Sequence, residues 1–444
     1  MQIYLTQLKV RFKDPDSRFG ELGEVDAFCW VKALDQSAAA YIATFEVERD
    51  GWVILGISQS PIPIVLDNFR GNKWEVEQLS KAEEFGRSIM YVAVDDKAKE
   101  TTVEELDTHE YGDIGAYHRT RNKLAKIGKC LHFNAGDECT SVIRAHSVQK
   151  SQLLSVISKN NHIYALANKV ENDGGVKIQK KSIYKFSTFR GFCQYHDNEI
   201  FEPIDNKPFH LELEQASLYA YRSICRELYV KNNSLHLFLD QLAKLSSNGK
   251  LRQYLSDLIE GTQNGLETLS TKKVTFDRLL KTKQLDQLKY VVFESESKPN
   301  ISFSGLLYPD FDFQGRRLQD LAVSSFEFSL ITFCSAPTDN GWAALFVWHE
   351  NDDEVCFRFI ESLKEAVRAG KTIEDSIFRL VILTCDNVAF SPNWWEALDS
   401  SQQDAVREAM RIGGEALVPV KEDYLVSGLE GLVKWDFQKV YSSY

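Results

Sequence analysis

The sequence predicts a multidomain α+β protein with an N-terminal α/β sandwich, a central cysteine- and histidine-rich module joined to a helical subdomain, and a C-terminal α+β domain. Three observations lead there. A length of 444 residues corresponds to roughly three domains at about 150 residues each. With 43% hydrophobic, 26% charged and 12% aromatic residues, the chain has an ordinary globular balance, which excludes a mainly disordered or collagenous polymer. An acidic, polar stretch ahead of residue 116 and a change of apolar pattern at Tyr290 set expected domains at 1–116, 117–286 and 287–444.

In the first domain, IYLTQLKVRF and VDAFCWVKAL alternate as strands, and SAAAYIATFEVERDG follows as a helix closing at Gly51. WVILGIS is a third strand and PIPIVLDNFRGN an irregular stretch. WEVEQLSKAEEFGRS then has helical spacing and IMYVAV strand character. A sheet with helices on one face is the expected sandwich. The acidic stretch from Lys97 to Gly115 is the expected linker, and no catalytic constellation precedes it.

In the middle domain, RAHSVQKSQLL places His146 just before a short helix. HIYALANKV and VKIQKKSIY form a hairpin turning at Asn172 to Gly175, and FSTFRGFCQYHDNEIF turns at Gly191 into a helix. From LEQASLYAYRSICRELYVKN to about Leu285, apolar residues recur at i, i+3, i+4 and i+7, the mark of packed amphipathic helices. In the last domain YVVFE, ISFSGLLY, FEFSLITFCS and WAALFVWHE are strands, and CFRFIESLKEAVRAG is a helix closed by Gly370. Ser391 with Pro392, and Asp399 with Gln402, are helix N-terminal signals. Trp394 and Trp395 divide between core and lid.

The net charge of −12 argues against a protein that coats nucleic acid non-specifically. It hides an asymmetry: from His118 to Arg190, 14 Lys/Arg face four acids, so this stretch carries +10 and the rest −22. Such a block suits a polyanion-binding module, because each phosphate contact needs a local positive charge. Arg119, Arg121, Lys123, Lys150, Lys180 and Lys181 are the candidate nucleic-acid contacts. No basic-then-apolar leader and no window of 18 apolar residues occurs, which predicts a cytoplasmic protein away from membranes. Eight cysteines are too few for a disulfide scaffold. Cys29, Cys225, Cys334, Cys356 and Cys385 sit in apolar runs, as small buried residues do.

Between Cys130 and His196 the chain concentrates seven of its 17 cysteines and histidines. Two pairs stand out, Cys130 with Cys139 and Cys193-x-x-His196. Four soft N and S donors in two pairs suit a tetrahedral zinc ion, and C-x-x-H spacing lets one turn at a helix start present two of them. His132 and His162 are expected to be bystanders.

The order of a ligand pair, a histidine, a hairpin and a second ligand pair opening a helix resembles the HNH and endonuclease-VII-like treble-clef families, in which zinc clamps a ββα-metal core. The resemblance spans about residues 125–205. The AHS-x-Q-K and GFC-x-x-HD patterns also resemble a largely uncharacterised bacterial family. The treble-clef resemblance implies Cys130, Cys139, Cys193 and His196 as structural zinc ligands and His146 as general base. It also implies Asp197, with Glu199 behind it, as ligand of a catalytic Mg²⁺ or Mn²⁺. Ala145 stands where the family has an acidic or hydroxyl neighbour of the base. No asparagine precedes Cys193, and Ser187 and Thr188 occupy that neighbourhood. His146 as a zinc ligand or a buried structural histidine stays open.

The function this implies is metal-dependent hydrolysis of DNA phosphodiester bonds, as in a bacterial defence effector or a mobile element. Two alternatives remain. One is a non-catalytic zinc-stabilised nucleic-acid-binding or sensor protein whose two outer domains bind a partner or a small signal; a protein partner or a second copy of the chain would be held through those domains. The other is a purely structural zinc scaffold.

Overall fold

The computed structural model describes residues 2–13, 24–64, 73–93, 114–136, 138–167, 176–205, 207–245, 250–321, 328–414 and 420–444. They form two compact units, Met1–Ile127 with Asn233–Gln263, and Gly128–Asn232 with Asn264–Tyr444. Residues 97–113 of the linker expected from Lys97 to Gly115, and the hairpin turn at 172–175, lie outside the described residues, whereas residues 114 and 115 begin a helix.

The first unit is built on β1 (Gln2–Phe12), β2 (Glu24–Ala33), α1 (Gln36–Arg49), β3 (Trp52–Ile64), α2 (Lys73–Phe85) and β4 (Arg87–Ala93), followed by α3 (Ile114–Leu124). Its sheet is antiparallel with order β3-β1-β2-β4. The Asp35 carboxylate accepts from Ala38 N at 2.8 Å and starts α1. Gly51, at φ +92°, makes the left-handed turn from α1 into β3.

Two expectations are corrected here. PIPI continues β3 to Ile64, in a ladder with β1 that absorbs register shifts. The helices also do not share a face. Successive strand side chains point to opposite sides; Tyr4, Leu8 and Val10 pack with Ala39, Ala43 and Val47 of α1, whereas Ile3 and Leu5 pack with Leu79 and Ala82 of α2. Both faces of β1 and β2 are apolar, so each requires its own helix.

The second unit begins with β5 (Ala145–His146), a π-helical turn Lys150–Leu154 and α4 (Ser155–Ile157). It continues through β6 (His162–Leu166), β7 (Ile178–Ser182), β8 (Thr188–Phe189) and α5 (Gln194–Asp205). Two long helices follow, α6 (Leu213–Lys244) and α7 (Lys250–Thr282), whose segments within 233–263 belong to the first unit. Then come β9 (Leu288–Ser295), β10 (Ile301–Leu307), β11 (Ile331–Pro337), β12 (Trp342–His349), α8 (Asp353–Arg368), α9 (Ile373–Thr384) and β13 (Val388–Phe390). The chain closes with α10 (Pro392–Trp395), α11 (Ser400–Gly413) and β14 (Phe437–Ser442). The expected caps are at these helix starts: Pro392 opens α10, and Asp399 with Gln402 forms a reciprocal capping box on α11.

An eight-stranded antiparallel sheet runs β14-β9-β12-β11-β10-β13-β6-β7. The β6–β7 hairpin joins it through β13, with Ala389 opposite Ala165 and Phe390 opposite Tyr164. Residues expected in separate middle and C-terminal domains thus share one sheet, because a two-stranded hairpin needs further strands to be stable. On one face, Val292, Leu345 and Val347 pack with Tyr221 and Ile224 of α6, Leu269 and Phe276 of α7, and Phe189, Phe192 and Phe201. On the other, Phe293, Phe346 and Trp348 meet Phe359 and Leu363 of α8 and Ile377 and Val381 of α9. Cys29, Cys225, Cys334, Cys356 and Cys385 are buried, and Trp395 is more deeply buried than Trp394. Among the described residues no helix is long and apolar enough to cross a membrane.

Candidate metal centre

Two segments converge on Cys130, Cys139, Cys193 and His196. The first approaches as 128–131, where Leu131 N donates to Gly191 O at 2.7 Å. Gly128 permits this contact: a Cβ there would lie 2.1 Å from Arg190 O. Downstream, a turn returns Cys139 N to Gly136 O at 3.0 Å and directs Gly136 N at the Cys139 sulfur, 3.4 Å away. The second segment is the start of α5, where Asp197 N donates to Cys193 O at 2.9 Å and His196 N points at Cys193 Sγ at 3.4 Å. Thr140 Oγ1 accepts from Tyr195 N at 3.1 Å and satisfies an N-terminal donor of that helix.

The donor atoms fit a tetrahedral ion. His196 Nδ1 lies 3.5 Å from Cys130 Sγ, 3.5 Å from Cys139 Sγ and 3.3 Å from Cys193 Sγ, and all four donors fall within 4.8 Å of one another. Zn–S and Zn–N bonds of about 2.3 and 2.05 Å imply a tetrahedral S–N edge of about 3.6 Å. The cluster could therefore hold a metal such as zinc. Burial by itself would push the Cys193 thiol up, but the backbone donors of His196 and Thr140 and the neighbouring His196 side chain bring it down to about 6. Burial holds Cys130 up at about 11. An ion that favours thiolates would supply the missing stabilisation there.

From the metal cluster a two-stranded ribbon runs to His146. Gln194 N donates to Ser141 O at 3.0 Å, Val142 bridges to Cys193, and Ile143 N donates to Phe192 O at 3.0 Å. Ala145 then faces Phe189 and His146 faces Thr188. Cys193 and His146 thus occupy the same ribbon, and α5 leaves from its Cys193 end. His146 is not among the four metal donors, which removes the zinc-ligand alternative. Its Nε2 lies 3.0 Å from Ile183 O. A carbonyl can only accept, so Nε2 carries the proton and the Nδ1 lone pair is left over. Burial lowers its pKa, against the opposing effect of the Ile183 bond, and keeps the ring neutral near pH 7.

Asp197 lies in the first turn of α5, buried, with Oδ1 lacking a hydrogen-bond partner. Burial raises its carboxyl to about 6, with Arg222 opposing and Asp205 reinforcing the shift. The same two charges act on His146, so Asp197 and His146 share an electrostatic neighbourhood. Arg222 is itself held by Asp205 at 2.6 Å and lies 3.9 Å over the Phe201 ring. Glu199, expected behind Asp197, is exposed. Among the described residues no second group of three His, Cys, Asp or Glu donors converges in this way.

The basic candidates belong to both units. Arg119, Arg121 and Lys123 sit on α3, in the unit that does not contain the metal cluster. Lys180 on β7 pairs with Glu396 at 2.9 Å and lies over Tyr164; Lys181 follows it, half-buried. Lys150, on the π-helical turn after His146, is exposed and lies 5.5 Å from the Tyr184 ring centre. His162 is an exposed residue at the start of β6.

His132, expected to be a bystander, instead stacks on His196. Its position two residues beyond Cys130 was the available signal. Ile183, Arg222 and Asn387 also shape the site and carry no local motif. No protein-family model matches the chain, and neither a curated protein nor a solved structure matches it.

Proposed function

We propose that this chain is an HNH-like nuclease in which a structural zinc, held by Cys130, Cys139, Cys193 and His196, supports a treble-clef ββα core that hydrolyses DNA phosphodiester bonds. The observation that carries this is the His146 imidazole, fixed by Ile183 O as the Nε2–H tautomer on the ribbon that also bears Cys193. A neutral ring with Nδ1 unprotonated is the form that accepts a proton from water, a contribution of about 10²–10⁴ in rate. Asp197 would hold the Mg²⁺ or Mn²⁺, and its unpartnered buried Oδ1 suits a hard cation. Such an ion supplies charge stabilisation at the phosphoryl oxygens when bound. Lys150, exposed beyond His146, is available to the DNA backbone.

A second function is favoured by one observation. Because only one donor cluster assembles among the described residues, a zinc-stabilised module that binds nucleic acid without cutting it also accommodates the geometry.

Zinc-loaded protein incubated with supercoiled plasmid and Mg²⁺ or Mn²⁺ distinguishes them. Nicking is expected, with His146→Ala and Asp197→Ala each reducing it about 10²–10⁴-fold while zinc content and DNA affinity stay near wild type. Salt-sensitive DNA binding without nicking under either cation would favour the binding module. No binding at all would remove both.

A further inference from the structure

The base assigned to His146 depends on one tautomer, and the backbone on its C-terminal side is held by a buried polar chain. Asn387, at the entrance to β13, donates from Nδ2 to Ser304 O at 3.1 Å and to Ser147 Oγ at 2.9 Å. Because Ser304 O can only accept, the amide orientation is fixed and Ser147 Oγ receives the second N–H. The Ser147 hydroxyl is then free to donate to Ser187 Oγ, 2.7 Å away, which also accepts from Val148 N at 2.9 Å. Ser147 N closes the ribbon on Ser187 O at 2.9 Å.

Two features make this chain more than packing. Asn387 and Ser147 are 2% and 4% exposed, so a lost partner leaves a polar group in an apolar interior rather than in water. Ser187 is held at φ +57°, a left-handed conformation that a non-glycine residue keeps only when its surroundings enforce it. His146 therefore sits between two anchors supplied by the large sheet: Ile183, immediately after β7, takes its Nε2–H, and Asn387, immediately before β13, fixes the residue that follows it.

Building on the role given to His146 above, we propose that Asn387 is a positioning residue, acting through Ser147 to hold the imidazole against Ile183 O. The test compares wild type, Asn387→Leu and Ser147→Ala as full-length, zinc-loaded proteins, using ¹⁵N-histidine NMR to read the His146 tautomer and plasmid nicking to read turnover. Wild type should show the Nε2–H form alone. Both variants should show a mixture with the Nδ1–H form, and nicking should fall at least tenfold at unchanged zinc content and DNA affinity. Should Asn387→Leu fail to fold, Ser147→Ala, which leaves Asn387 on Ser304, decides the matter. Retention of the pure Nε2–H form and of full nicking in a folded variant overturns the proposal. If wild type never nicks DNA, the nuclease assignment fails, and the tautomer comparison still decides whether Asn387 positions His146.

Discussion

His132 lies flat against the metal-site residue His196, with ring centroids 4.2 Å apart and planes inclined by 15°. Its Nδ1 accepts from Asn134 N at 3.1 Å, which locks the ring in place. Side chains that orient a metal ligand are worth about 10–100-fold in metal affinity. His132→Ala should therefore weaken zinc binding by at least tenfold in competition with a chromogenic chelator. His132→Phe, which keeps a flat ring, should stay within a few fold of wild type; equal losses in both would assign the effect to polarity instead of stacking.

The purified protein should carry about one zinc per chain, and metal binding and local folding should be one event. Cys193→Ser is expected to abolish stoichiometric zinc in elemental analysis and to expose amides of 128–146 and 187–200 to hydrogen exchange. A metal-free wild type with those amides fully protected would refute the zinc assignment.

Gly128 tests the same site from the backbone. A methyl group there meets Arg190 O at 2.1 Å, so Gly128→Ala must separate the 128–131 segment from Gly191. It should loosen zinc and lower the melting temperature although it alters no ligand. Unchanged values on both counts would mean that the two segments move apart without strain.

Away from the four-donor cluster, Lys272 of α7 meets Asp352, just before α8, at 2.6 Å, with both side chains nearly excluded from solvent. Removing one partner of such a pair leaves a buried charge at a cost of about 3–5 kcal/mol. Lys272→Met should lose about that much in urea unfolding, and the double variant Lys272→Met/Asp352→Leu should recover most of it. A double variant no better than the single one would show that the pair contributes more than mutual neutralisation.

His349 gives a pH dependence. Its Nδ1 accepts from Asn351 N at 3.1 Å, and burial lowers its pKa, with Asp352 and Glu350 opposing. A histidine depressed below its unfolded value of about 6.5 takes up a proton more readily when unfolded. Its contribution to stability is complete above that value and is lost as pH falls through the folded pKa. The urea midpoint should drop between pH 7 and pH 5, and His349→Asn, which keeps an acceptor that does not titrate, should flatten the drop. An equal slope in the variant would place the proton uptake elsewhere.

The strands and helices of both units were legible where apolar spacing is regular, as in VDAFCWVKAL, WAALFVWHE and CFRFIESLKEAVRAG. PIPI was not, because two prolines conceal a strand that tolerates them at the sheet edge, where β3 pairs only with β1. Nor was the placement of α2 opposite α1, since Ile3 and Leu5 are as apolar as Tyr4 and Leu8, and alternation cannot say which helix each face receives.

By itself the sequence pointed to the four donors that could hold a metal, because C-x-x-H lies within one helical turn and the Cys130–Cys139 pair is close in sequence, so their convergence is largely local. Tertiary structure decided what surrounds them. The carbonyl that sets the His146 tautomer is 37 residues away, and the amide that fixes Ser147 is 240 residues away. The shared sheet that joins the hairpin to the C-terminal strands likewise depends on β13, a three-residue strand. Hydrogen bonds across such separations leave no periodicity in the chain; they exist only once apolar burial has brought β6, β10 and β13 side by side.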